Sequence, residues 1–194
     1  MIALDLSGLL VPGVVILFIC LLAFYLAYLF NRLVRFKNAA DANLGQIRVA
    51  MKKRLDMIEQ LLGAVRGYVR HEREVFESVA SMRAKVLEAG TAGLEEIDKE
   101  SRSIAGGILA IAEAYPELKA SETVKKLMDA IVSVEDEIAR HRYTYNNVVQ
   151  TFNTMVDSIP SNVVASSTGM EKLGYLEFEE KVEARPDITG ISVE

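Results

Sequence analysis

The chain is poor in the residues from which catalytic and metal sites are most often built. It has one cysteine, two histidines and no tryptophan in 194 residues. A single cysteine excludes an intramolecular disulfide and a cysteine-rich metal site. Because Cys20 lies between apolar neighbours, we interpret it as a membrane-buried thiol that acts as a small hydrophobe.

Neither histidine completes a known metal motif. His71-Glu72 begins like the zinc motif H-E-x-x-H, but Val75 stands in the place of the second histidine. A di-iron bundle needs glutamate three residues before histidine, and both histidines lack it. The sequence also has no G-x-S-x-G and no phosphate-binding loop. We therefore expect no enzyme and no cofactor, and we assign no catalytic, cofactor-binding or metal-binding residue.

Charge and proline content further restrict the possible fold class and the possible partners. The net charge is −5, with 22 basic and 27 acidic residues, and no basic stripe is present, so we expect no nucleic-acid partner. Proline stands only at 12, 116, 160 and 186, which leaves residues 13–115 without this helix breaker. The composition favours an all-α protein.

A long apolar run dominates what is present. Residues 9–30 (LLVPGVVILFICLLAFYLAYLF) carry no charge. As a helix they would reach about 33 Å, enough to cross a hydrocarbon core of about 30 Å. A signal peptide would have a basic start and a shorter apolar stretch. We therefore predict a transmembrane anchor, with the lipid bilayer as its partner.

The charges beside this run predict its orientation. The residues before it include Asp5 and no basic residue, whereas Arg32, Arg35 and Lys37 follow it. The positive-inside rule then places the following module in the cytoplasm, on a single-pass protein of the cell membrane. The expected organisation is a short N-terminus (1–8), the anchor (9–30), a helical bundle (31–182) and a flexible tail (183–194).

After the anchor, apolar residues recur at steps of three and four, which is the period of an α-helix. The first seam contains Leu44, Ile47, Met51, Leu55, Ile58, Leu62, Val65, Val69, Glu72, Phe76, Val79, Met82 and Val86. The second contains Ile97, Ser101, Ile104, Ile108, Ile111 and Tyr115. The third contains Val124, Leu127, Ile131, Val134, Ile138, His141, Tyr145, Val148, Phe152, Met155 and Ile159.

These seams predict an antiparallel bundle of three long helices behind the transmembrane helix. The first seam is longer than the second, which leaves two alternatives. In the first alternative, which we favour, the first helix breaks near Gly63–Gly67 or near His71, and the bundle has four helices. In the second, the excess length of the first helix packs on another subunit of a homo-oligomer. A further short helix is expected over Glu171–Glu180.

Two ionisable residues, Glu72 and His141, fall on the seams. They would form either a switch or weak metal site, or a structural hydrogen bond, and we favour the structural interpretation because no further metal ligand accompanies them. Asn146 and Asn153 lie beside the third seam, where such residues fix the register of a bundle. The stretch 52–54 (KKR) is a short basic cluster that would face an anionic leaflet if the helix bent back.

Three ordered motifs make the chain resemble the LemA family. They are RLDMIEQL at 54–61 with GYVRHE at 67–72, AEAYPELKA at 112–120, and Glu135, Ile138, Arg142, Tyr145, Asn146, Phe152 and Asn153 ending in IPSN at 159–162. The family usually has proline where this chain has Glu59, so a bend there would be absent or shifted.

The resemblance implies an anchored antiparallel bundle with no established activity and no catalytic residues to carry over. It also implies a partner in the bilayer, since relatives are often encoded beside membrane proteins. We expect an interaction, scaffold or adaptor protein for a membrane complex, with an unidentified membrane protein partner. The alternative is a membrane-tethered regulator that responds to a ligand or metal through the Glu72 and His141 region.

The orientation is testable with a reporter. A periplasmic-type phosphatase fused to the C-terminus, expressed in a bacterial host, should be inactive because the basic residues after the anchor retain the module in the cytoplasm. The same fusion to a protein with an exported C-terminus serves as the positive control. An active fusion would reverse the predicted topology.

Overall fold

Residues 6–68 and 72–177 are described by the computed structural model, and they contain six α-helices and no strand. The all-α class is therefore confirmed over this part of the chain. The helices are α1 (Leu6–Ala64), α2 (Glu72–Lys85), α3 (Thr91–Ala114), α4 (Pro116–Ala120), α5 (Glu122–Asp157) and α6 (Ser161–Ser167).

Helix α1 contains the apolar run and continues far beyond it. Its 59 residues include Pro12 in the second turn, where proline has no amide hydrogen to donate to the carbonyl four residues earlier. Within Pro12–Ala64 an 18-residue window has a mean hydropathy of 2.7 and is 6% buried. Its large side chains are exposed, Phe24 by 77%. By length and composition, α1 is therefore long and apolar enough to cross a membrane.

The chain divides into two compact units. The first contains Met1–Lys53 and Val132–Tyr175, and the second contains Arg54–Ile131 and Leu176–Glu194. Helices α1 and α5 each contribute to both units. The units are described separately below.

In the first unit, α1 and α5 run in opposite directions. Lys53 near the end of this part of α1 pairs with Glu137, early in α5, at 3.1 Å. Leu33, twenty residues earlier in α1, packs with Phe152, late in α5. Contacts that run in reverse order along two helices define an antiparallel pair.

A hydrophobic cluster lies at the anchor end of the first unit. Its buried members are Leu29, Leu33, Phe152, Met155, Val164 and Ala165, with Phe36, Val156, Met170 and Leu173 packed against them. Leu29 belongs to the predicted anchor, yet only 6% of it is exposed. The last turn of the apolar run therefore contributes to the core of the following module.

The second unit is held by apolar contacts and by arginines that bridge its helices. Its buried side chains include Leu55, Ile58, Leu62, Val79, Met82, Val86, Leu94, Ile97, Ile108, Leu118, Val124 and Ile131. Arg83 of α2 reaches α1, where it pairs with Asp56 at 2.6 Å and Glu59 at 3.0 Å. Glu59, which replaces the proline usual in the resembled family, thus stands inside an unbroken helix and joins it to α2.

The first seam is divided between α1 and α2. Helix α1 ends at Ala64 and α2 begins at Glu72, where one of the two alternatives placed a break. Gly67 adopts φ +89°, a left-handed conformation that glycine enters without the steric cost of a Cβ. Val69 and His71 lie outside the described residues.

The third seam drifts from the strict heptad pattern. Val149 is fully buried while Val148 is only half-buried, because 3.6 residues per turn rotate a straight helix away from a period of 3.5. Ile159 was expected inside, which is wrong: it is 85% exposed. Since α5 ends at Asp157, helical periodicity no longer determines where Ile159 points.

The region after Pro160 also differs from expectation. A short helix, α6, forms at Ser161–Ser167, and residues 170–177 are not helical. The helix expected over Glu171–Glu180 is therefore wrong as far as residue 177, and 178–180 and the expected tail at 183–194 lie outside the described residues. Gly169 turns the chain with φ +65°, and the following segment is bonded to α5 instead of to itself.

Candidate functional site

The most unusual group in the second unit is a buried arginine. Arg54 of α1 is fully buried, with 0% exposed. A guanidinium is always charged, and taking it out of water is costly unless it is paired and hydrogen-bonded. Its partners therefore decide whether this position is a site or a structural contact.

Helix α3 supplies those partners. Arg54 Nη1 donates to Asp98 Oδ1 at 2.8 Å, and Nη2 donates to the Ser101 hydroxyl. Ser101 in turn donates to the carbonyl of Ile97 one turn earlier. The other oxygen of Asp98 forms an ion pair with the guanidinium group of Arg102, with Nε at 2.8 Å. One nearly buried carboxylate, 4% exposed, thus lies between two guanidinium groups.

This arrangement joins two helices and does not present a reactive group. Both oxygens of Asp98 are engaged by arginines, and Arg54 donates to α3 rather than into an open cleft. Because each bond requires a particular turn of α1 opposite a particular turn of α3, the cluster fixes their register. The basic stretch 52–54 is consequently not a surface cluster, since Arg54 is buried and Lys53 is paired with Glu137.

A signal for the pair was present in the sequence. Arg54 stands three residues after Met51 and four before Ile58, so it shares their face of the helix. Asp98 stands three residues before the seam residue Ser101. Opposite charges on two inward faces indicate a buried ion pair.

A second polar group organises the first unit. The Asn153 amide donates to the carbonyl of Leu173 at 2.9 Å and accepts from its backbone N–H at 2.9 Å. Tyr145 donates its hydroxyl to the carbonyl of Gly174 at 2.8 Å. Asn153, expected to fix the register of the bundle, thus binds the segment after α6 to α5.

Tyr145 stays a neutral donor. Burial raises the pKa of its hydroxyl above the usual value, the nearby Asp41 carboxylate adds to the rise, and Arg48 opposes it. A neutral hydroxyl keeps the proton that it donates to Gly174.

Of the two ionisable seam residues, Glu72 and His141, the structure describes the side chain of His141. His141 lies half-buried on α5, at the edge of the core between the buried Ile138 and Tyr145. The side chain of Glu72 lies outside the described residues. Their structural interpretation stays a prediction.

A groove lies between α2 and α3 in the second unit. It measures about 410 Å³, and its polar lining residues are Ser78, Ser81, Lys85, Glu88, Glu96 and Glu100. Among the described residues no group of three histidine, cysteine, aspartate or glutamate side chains is placed to hold a metal ion. In this groove the Ser78 hydroxyl donates to the Glu100 carboxylate, and none of the lining residues carries an imidazole or a thiol.

Comparison with known proteins shows where this architecture belongs. The model of the LemA family matches residues 43–189. The chain belongs to the LemA family. The match includes the three motifs noted in the sequence, and within them Arg54, Tyr145 and Asn153 make the buried polar contacts described above.

Several curated relatives align with most of the chain. Magnetosome protein MamQ 2 of Paramagnetospirillum magneticum is 25% identical over 179 residues, covering 78% of this chain and 65% of the relative. MamQ of Magnetospirillum gryphiswaldense is 24% identical with the same coverage. Protein LemA of Metamycoplasma hominis is 26% identical over 161 residues, covering 81% of this chain and 74% of the relative. The chain therefore spans about two thirds of the length of the MamQ proteins.

The buried ion pair leads to a stability prediction. Replacing Arg54 by alanine should reduce the free energy of unfolding by about 3–5 kcal/mol, because Asp98 is left buried and loses one partner. Lys53→Ala is the matched control: its bond to Glu137 is exposed, and its loss should cost less than about 1 kcal/mol. Chemical denaturation of the full chain in mild detergent measures both.

A double variant separates pairing from packing. Arg54→Met with Asp98→Leu removes both charges and keeps apolar volume, so it should recover most of the stability lost in Arg54→Ala. Equal losses in Arg54→Ala and Lys53→Ala would show that Arg54 is not held in the buried pair.

Proposed function

We propose that this LemA-family chain is a membrane-anchored scaffold or adaptor whose helical module recruits a protein of a membrane complex. Residues 9–30 cross the bilayer, and the module lies in the cytoplasm. The support begins with α1, whose apolar part is exposed over most of its length and long enough to span. The match to the LemA family identifies no catalytic residue that would favour an enzyme instead.

One observation carries the proposal: α1 passes from the anchor into the module without a linker. The run of exposed apolar side chains ends at Phe30, and Leu29 and Leu33 lie in one buried cluster with Phe152 of α5. Helix α1 is unbroken across this change of environment. The module is therefore held at a fixed distance from the bilayer, which suits a protein that positions others.

The flanks support the proposed orientation. Arg32, Arg35 and Lys37 are exposed on the turns after the apolar run. Tyr28, 54% exposed, stands one turn before them at the height where aromatic side chains favour the membrane interface. The Arg32 guanidinium carbon lies 5.9 Å from the centre of the Phe36 ring, so this arginine rests against its own helix.

The helix arrangement fits the same proposal. Within the first unit α1 and α5 are antiparallel, and within the second unit α2 and α3 are each tied to α1 through Arg83 and Arg54. We propose that each unit is an antiparallel helical bundle. The long helical faces of such bundles can pack against helices of a protein partner.

Co-purification tests the adaptor function. The full chain, extracted from membranes in mild detergent, should retain a protein partner at about one copy per chain, identified by mass spectrometry. A matched variant carries an unrelated apolar sequence of equal length at residues 9–26 and keeps Leu29 and Leu33. It should retain the partner, because the module makes the contact.

Other outcomes contradict the proposal. A chain that purifies with a stoichiometric metal or small molecule and no protein partner would instead be a ligand-responsive regulator. A chain that purifies alone, or only with copies of itself, would also contradict the adaptor function. Loss of the partner in the matched variant would place recognition in the bilayer rather than in the module.

A further inference from the structure

The corner between α5 and α6 exposes more apolar surface than its surroundings explain. Ile159 is 85% exposed, the highest value of any large apolar side chain among the described residues, and Val163 is 63% exposed. Single exposed apolar residues are common on proteins. The position of these two is what distinguishes them.

The corner lies level with the end of the apolar run. Helices α1 and α5 are antiparallel, so advancing along α5 beyond Phe152 leads back along α1 toward its N-terminus. Leu29 and Leu33 pack in one cluster with Phe152, and Val164, one residue after Val163, returns to that same cluster. Ile159 follows the end of α5 and therefore lies beside the last turns of the anchor.

Some polar groups of this corner are already bonded within the protein. The Ser161 hydroxyl donates to the carbonyls of Met155 at 2.7 Å and Ser158 at 3.0 Å. The nearby charges of Asp157 and Lys172 neutralise each other in an ion pair of 2.8 Å. These bonds and this ion pair lower the free-energy cost of bringing the corner to a membrane interface.

We propose that Ile159 and Val163 insert into the interface of the membrane that α1 crosses, as a second contact between the module and lipid. The proposal rests on the proposed anchoring by α1. We favour lipid as the contact because the exposed apolar corner continues the exposed apolar surface of the anchor. Val164, next to Val163, packs in one cluster with Leu29 of the apolar run. Each buried methylene group adds favourable free energy, so the corner would also restrain tilting of the module about α1.

The absence of tryptophan from the chain makes a direct test available. Ile159→Trp introduces one tryptophan at an exposed position, so the core is not disturbed. The full-length variant is placed in lipid nanodiscs with and without bromine on the upper part of the acyl chains. Bromine quenches tryptophan only on contact, and the fluorescence of Ile159→Trp should be strongly reduced in the brominated discs.

Two further variants separate this inference from the anchoring itself. Phe30→Trp, at the end of the apolar run, should be quenched wherever the anchor crosses the bilayer. Val132→Trp is matched in exposure, since Val132 is 61% exposed, and lies on the same helix about 37 Å before Asp157. It should not be quenched, although it has the same intrinsic preference for lipid as the test residue.

The outcomes are distinct. Quenching at Phe30→Trp and none at Ile159→Trp would overturn the corner contact and leave the anchoring intact. No quenching at Phe30→Trp would overturn the anchoring. An Ile159→Trp emission that is blue-shifted but unquenched would mean that a second copy covers the corner, and it would overturn lipid insertion.

Discussion

The packing of α1 against α5 at Leu29 and Leu33 is the contact on which the other features depend. At this turn one helix changes its surroundings from an exposed apolar surface to a protein core. Since α1 does not break there, the orientation of the first unit follows from the orientation of the anchor. The proposed place of Ile159 beside the anchor, and the proposed fixed height of the module above the bilayer, both rest on this single contact.

In the second unit the main constraint is the free-energy cost of burying the charge of Arg54. Arg54 lies where an apolar residue would pack equally well, and exchange of a buried ion pair for apolar residues is often neutral for stability. Its value lies in selectivity: only one register of α1 and α3 brings the guanidinium to both Asp98 and Ser101. A displaced helix would leave charges buried and unpaired.

Much of the fold follows from local sequence patterns. Seam positions such as Ile47, Ile58 and Ile138 are fully buried because the helical period alone determines which face an apolar residue occupies. The end of α1 follows from Gly67, whose left-handed conformation is also a local property. These features need no knowledge of distant residues.

The remainder depends on contacts far apart in the chain. The non-helical course of residues 170–177 follows from bonds that Asn153 and Tyr145 make to Leu173 and Gly174, about twenty to thirty residues away. Periodicity gives no information on such bonds. The burial of Arg54 likewise depends on how α1 packs against α3. Ile159 lies beyond the end of α5, where the helical pattern no longer applies.

Hydrogen exchange at the backbone amides of residues 27–37, measured by mass spectrometry on the full chain in lipid nanodiscs, tests the continuity of α1 most directly. An unbroken helix packed on α5 predicts slow exchange over this whole segment, comparable to the segment around the fully buried Ile47 and Met51. Rapid exchange over residues 31–37, with Ile47 and Met51 still protected, would reveal a flexible linker. The module would then be tethered to the membrane without being positioned by it.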